Sequence, residues 1–200
     1  MKEKKKSKKH DLIVRTAQKI FAYFGVRKAT IDEIAKTAGI GKGTIYNYFN
    51  SKEELFAVVV KREEEELKEQ ITKNINTADS ATDKLILFFT TKIKYLFKLK
   101  NFYSIQKDML DIIYSELEQI TYSYYEFEKQ TLTDIFKAGI DANIFEITDI
   151  DLTVNVIMLT SKSLELYWLR NEQYDSPEKP INEIKNLMNI FFNGILKREK

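Results

Sequence analysis

The sequence predicts an all-α protein, and three observations carry that prediction. Apolar residues recur at spacings of three and four through most of the chain. No apolar–polar alternation of the kind a half-buried strand needs persists anywhere. The 200 residues include only two prolines and six glycines, so long uninterrupted helices are expected, and 44% hydrophobic content with 12% aromatics suffices for a core.

The chain opens on MKEKKKSKKH, which reads as a solvated, disordered basic tail over residues 1–10. DLIVRTAQKIFAYFG reads as the first helix. Ile13, Ala17, Ile20, Phe21 and Phe24 fall on one stripe, and Gly25 suits a left-handed C-cap. Thr30 and Glu33 form a capping box that starts a second helix. Ile31, Ile34, Ala35 and Ala38 are its apolar stripe, and Gly39 ends it. A third helix begins near Gly41 and runs to Phe49. Two short helices joined by a glycine turn, with alanines where they cross, describe a helix-turn-helix.

Ser51 and Glu54 form a second capping box, opening a long helix through Leu55, Phe56, Val59, Leu67 and Ile71. The run Glu63 to Glu66 reads as its solvated face. Further helices are expected over 81–99, 102–113, 114–141, 149–171 and 180–197. The organisation is therefore a tail over 1–10, a three-helix helix-turn-helix domain over 11–51, and a larger helical domain over 52–200.

Charge divides along the same line. Residues 1–52 hold 13 Lys and Arg against 4 Asp and Glu, and the remainder hold 19 against 26. A basic head on an acidic body fits a polyanionic partner.

The third helix concentrates the chemistry. With Ile45 turned to the core, Gly43 and Asn47 lie about 160° away, in the centre of the opposite face, with Thr44 and Tyr46 beside them. Glycine within a helix costs about 1 kcal/mol against alanine, and an exposed one fits close approach of another backbone. Asn47 suits a bidentate pair with adenine. Thr44, Tyr46 and Tyr48 offer hydroxyls to phosphates, and Lys42 and Lys52 offer charge. On spacing alone, an ordinary surface helix with Tyr46 and Tyr48 as packing residues stays open.

Other chemistries are poorly supplied. There is no cysteine, hence no disulfide and no thiolate metal site, which fits a reducing cytoplasm. His10 is the only histidine, so neither a metal cluster nor a nucleophile–base pair is expected, and no cofactor. GIGKGT resembles a phosphate loop but follows no strand. No run of about 18 apolar residues occurs, so no membrane span is expected.

The stretch TIDEIAKTAGIGKGTIYNYFNSKEELF, preceded by FAYFGV, closely resembles the signature of the TetR-type (tetracycline-repressor-like) transcriptional regulators over about residues 11–60. The resemblance implies an all-helical, cytoplasmic homodimer of about nine helices. A three-helix domain would bind a palindromic double-stranded DNA operator, and a larger domain would bind a small-molecule inducer, with repression as the output. Carried onto matching positions, it implies DNA contacts from Thr30, Lys42, Gly43, Thr44, Tyr46, Asn47, Tyr48 and Lys52. Gly41 stands where the family often has serine, which removes one hydroxyl. In the family the last two helices pair across a two-fold axis. Here that points to Val156, Leu159, Thr160, Ser163, Leu187, Met188, Phe191 and Ile195, with small Ser161 and Ser163 permitting close approach. An inducer would sit among Tyr103, Tyr114, Tyr122, Tyr125, Tyr167 and Trp168. The stripes also fit the chain's own core, and aromatics at helical spacing are core far more often than pocket. Acidic Asp108, Glu116 and Glu165 are expected at the surface. A rival reading of the same residues is a helical adaptor dimer that no longer reads DNA.

Overall fold

The computed structural model describes residues 2–108 and 115–193, and the chain is helical without a strand among them. In order, the helices are α1 (Lys2–Phe24), α2 (Ile31–Ala38), α3 (Lys42–Tyr46), α4 (Lys52–Ile75), α5 (Ala81–Lys98), α6 (Lys100–Asp108), α7 (Ser115–Asp141), α8 (Ile150–Arg170) and α9 (Glu178–Asn193). They group into two compact units. One comprises Met1–Glu65 with Lys100–Thr121, the other Glu66–Leu99 with Tyr122–Lys200. The division falls inside α4, after Glu65, and not at the Ser51–Lys52 junction that the sequence suggests.

Helix α1 starts at Lys2, so the segment expected as a disordered tail is helical. No proline or glycine precedes Gly25, and lysine and glutamate are good helix formers. At the start of α2 the expected capping box is complete. Thr30 Oγ1 accepts from the Glu33 N–H at 3.2 Å, and Glu33 Oε2 accepts from the Thr30 N–H at 2.9 Å. Gly39 closes α2 at φ 65°, a left-handed conformation, and the Ile40 N–H returns to the Ala35 carbonyl at 3.0 Å.

Helix α3 is shorter than expected. It has five residues, with Asn47 as its C-cap, and does not reach Phe49. A glycine at its second position lowers its intrinsic stability. The turn continues through bonds from the Tyr48 and Phe49 N–H groups to the Ile45 carbonyl, at 2.9 and 3.0 Å. The capping box at α4 is also altered. The Glu54 N–H donates to Ser51 Oγ at 3.0 Å, but the Glu54 carboxylate accepts from the Asn50 N–H at 2.6 Å. Ile13, Ala17, Ile34, Ile45 and Leu55 are sealed in the core of this unit, with Phe21 edge-on to Phe56 at 5.2 Å.

The expectation of a solvated acidic face on α4 fails at its centre. Glu63 and Glu64 are buried. Glu63 accepts from Gln18 Nε2 at 2.9 Å, Asn101 Nδ2 at 2.7 Å and the Phe102 N–H at 2.8 Å. It thereby ties α1 to the first turn of α6. Such donors are what a buried carboxylate requires, and a sequence pattern does not reveal them.

The second unit also has a charged interior. Lys92 of α5 pairs with Glu128 of α7 and, at 2.7 Å, with Glu165 of α8. Ser161 Oγ donates to Glu165 Oε1 at 3.0 Å. Glu165 and Ser161, expected at the surface and at a helix contact, are therefore interior residues. Burial opposes the charge on Lys92, yet its two carboxylate neighbours hold it firmly protonated. Burial also raises the Glu128 carboxyl above its ordinary range, against the pull of Lys92.

Along α8, Val156, Leu159, Thr160 and Ser163 are exposed, Leu159 to 69%. On α9 Phe191 is exposed and Leu187 half-buried. Met188 departs from this stripe. It is buried in the protomer's own core, because it lies on the face of α9 that also buries Ile184. Ile195 lies outside the described residues.

Replacing Lys92 by methionine leaves two carboxylates buried without their shared cation. Lys92→Met is expected to destabilise the chain by about 3 kcal/mol, read as a lowered denaturant midpoint.

Candidate nucleic-acid interface

Helix α3 owes its orientation to one residue. Ile45 is fully buried, which turns Gly43, Tyr46 and Asn47 outward. A Cβ added to Gly43 would meet no atom within 4 Å. Its own fold therefore does not demand glycine there, and the missing side chain leaves room for something outside the protein. Tyr46 is 47% exposed beside it. Thr44 and Tyr48 are half-buried.

Several of the eight expected contact residues already have partners. Thr30 Oγ1 accepts from Glu33 N–H and donates to Glu33 Oε2 at 2.9 Å, so its hydroxyl serves the cap. Lys42 Nζ pairs with Asp32 Oδ2 at 2.9 Å, and that carboxylate raises its pKa. Both side chains are at least half exposed, so the pair is weak and exchangeable. Lys52 Nζ donates to the Ala29 carbonyl at 3.1 Å and to the Arg27 carbonyl at 3.3 Å, fastening the start of α4 to the segment before α2. The Tyr48 ring lies 6.1 Å from His10 and 6.4 Å from Phe49 between centroids. Tyr48 thus packs, as the alternative reading of the sequence allowed, whereas Tyr46 does not. His10, which sequence reasoning set at the edge of a tail, is part of this packing. Its partners lie nearly forty residues away, and no local pattern announces them.

The six aromatics expected around a ligand behave differently from one another. Tyr103 and Trp168 are buried, while Tyr122, Tyr125 and Tyr167 are exposed. Trp168 Nε1 donates to Glu183 Oε2 and Tyr174 Oη to Glu183 Oε1, both at 2.8 Å, so Trp168 clamps α8 to α9. Tyr122 and Tyr125 are on the outer side of α7. Tyr167 lines a shallow surface hollow at the end of α8 with Ser163, Leu166, Arg170, Asn171 and Glu172. Tyr114 lies outside the described residues. Among the described residues, no group of three or more His, Cys, Asp or Glu could hold a metal ion, and no helix is long and apolar enough to cross a membrane.

Residues 13–59 match the family model of the bacterial regulatory proteins of the tetR family. The match spans α1 from Ile13 onward, α2, α3 and the start of α4. The chain is a TetR-type DNA-binding transcriptional regulator. This TetR-type chain is similar to the fatty acid metabolism regulator protein of Bacillus subtilis (strain 168), 27% identical over 86% of this chain and 90% of that protein. It is similar to IcaR of Staphylococcus aureus, the negative transcriptional regulator of the biofilm operon icaADBC, 25% identical over 94% of this chain and 99% of that one. In fold it resembles the crystal structure of the FadR regulator of Bacillus subtilis in complex with stearoyl-CoA. The TM-score is 0.74 at 23% identity, covering 92% of this chain and 98% of that one.

In the same unit as α3, Glu63 is the buried residue that sequence reasoning missed. Burial raises its carboxyl above the ordinary glutamate range, against its hydrogen-bond donors. The folded state then takes up a proton more readily than the unfolded chain. The charged carboxylate's penalty is full at neutral pH and fades as pH falls through the folded pKa. Glu63→Gln removes this titration. Between about pH 7 and pH 5 the parent is expected to gain stability relative to the variant, checked by urea midpoints across that range.

Proposed function

We propose that the chain is a ligand-responsive repressor that binds a palindromic operator as a two-fold dimer and is released by a small-molecule inducer. The exposed pair Gly43 and Asn47 on α3, with nothing of the protein's own in front of Gly43, carries the DNA-reading part. Asn47 reads a base edge in the major groove, Gly43 admits the backbone, and Thr44 and Tyr46 hold phosphates. Lys42 exchanges Asp32 for a phosphate. Thr30, Tyr48 and Lys52 flank this face and contact the backbone from their packed positions. The DNA-reading part occupies 11–51 and the ligand-binding and dimerising part 52–200, in the cytoplasm.

The exposed α8 stripe supports dimerisation. Val156, Leu159 and Tyr167 are each more than half exposed on one helix, and a contiguous apolar face of this kind marks an interface. Half-sites would then be separated by one helical turn, about 34 Å, or a multiple. Repression and ligand response draw support from the negative regulator and the fatty acid metabolism regulator that the chain resembles. Fatty-acyl compounds are therefore the first ligands to titrate against the bound complex.

Gel shift against the DNA upstream of the chain's own gene tests the reading, and failure to shift would favour the adaptor alternative. Asn47→Ala is expected to cost about 1–3 kcal/mol at one operator position and flatten preference there. Unchanged preference would remove Asn47 as a base reader. Leu159→Glu puts a charge in the apolar stripe and is expected to yield monomers on analytical ultracentrifugation, with weaker operator binding.

A further inference from the structure

The lysine run that opens the chain belongs to no part of the reading face described above, yet it lies on a helix anchored beside that face. Helix α1 is continuous from Lys2. Ser7, Lys8 and Lys9 are exposed, and the first fully buried residue of the helix is Ile13. Between them, His10 packs on Phe49 at 5.1 Å and beside Tyr48 at 6.1 Å, just past the end of α3. One residue on, the Asp11 carboxylate is held by Arg62 Nη1 and Arg15 Nε, each at 2.8 Å. The base of the run is therefore fixed both to the exit of α3 and to α4.

The charge is unbalanced. Residues 2–9 contain six lysines and one glutamate. Asp11, the next carboxylate along the chain, is already shared by two arginines, which lower its pKa. Neither Lys8 nor Lys9 has an acidic partner among the described residues. Cations at the N-terminal end of a helix oppose its dipole, and like charges close together on a helix repel. Anions from outside would relieve that repulsion. None of residues 2–10 is apolar, so the segment has no face to bury in a lipid surface. A duplex presents a charge about every 1.7 Å of axis, and eight helical residues extend about 12 Å, which matches several phosphates.

We propose that Lys2–Lys9 form a second DNA contact, a sequence-blind clamp on the phosphate backbone that steadies the helix as it binds. This rests on the DNA-binding reading of α3 only for its location. The clamp adds affinity for every duplex equally and leaves the choice of operator to α3.

The test uses the full chain and a variant in which Lys4, Lys5, Lys8 and Lys9 are all changed to glutamine, with unfolding midpoints compared to confirm that both fold. Each is titrated by fluorescence anisotropy over a salt series. The probes are the upstream operator DNA and a duplex of arbitrary sequence. The variant is expected to show a log–log salt slope shallower by about 2 to 4 per protomer on both duplexes, with the ratio of the two affinities unchanged. Equal slopes for parent and variant would overturn the clamp. A parent that shows no preference for operator would instead remove the α3 reading, while a slope difference on arbitrary DNA would still stand for the lysine run.

Discussion

The burial of Ile45 is the contact on which the DNA-facing half of the chain depends. A five-residue helix cannot hold itself together, since isolated helices shorter than about 12 residues are marginal in water. It exists because Gly39 turns the chain at positive φ and because Ile45 enters the core made by α1, α2 and the start of α4. Once that side chain is committed, a period of 3.6 residues leaves Gly43 and Asn47 no direction but outward. Function follows from a packing constraint on a neighbour.

Charge is handled differently in the two settings. On the reading surface it is loosely held. Lys42 and Asp32 pair in solvent, where such pairs contribute little. Inside, charge is locked. Glu63 is surrounded by three donors from α1 and α6, and Lys92 is shared between two carboxylates. Removing one member of such a group leaves its partner buried and unpaired, which costs far more than the intact group contributes. The interior charges are therefore fixed points of the fold, and the surface ones are available for exchange.

The helix-turn-helix was legible because its signals are local. A cap at Thr30, a turn glycine at Gly39 and the Ile45 stripe all act within a few residues, and the structure shows each in place. The second capping box was read correctly at Ser51, but its return bond moved to the Asn50 N–H. The length of α3 was overread because the apolar pattern continues through Phe49 after the helix has ended. The acidic run at 63–66 was misread because hydropathy counts charge and not donors. Met188 was placed with the exposed stripe of α9, since periodicity gives a face its width but not its boundary with the core. The aromatics offered no more than composition. Trp168 went to a structural bond with Glu183, and three tyrosines went to the surface.

By itself the sequence determined the all-helical class, the order of its elements and which side of α3 faces outward, because propensity, capping and helical period are properties of neighbouring residues. Tertiary structure alone decided that Glu63 and Glu165 lie inside, that His10 packs on the turn after α3, and that Leu159 is left uncovered while Met188 is not. Each of those outcomes is a contact between residues distant along the chain, and whether a charge is tolerable or an apolar side chain is spare depends on what the rest of the protein brings to it.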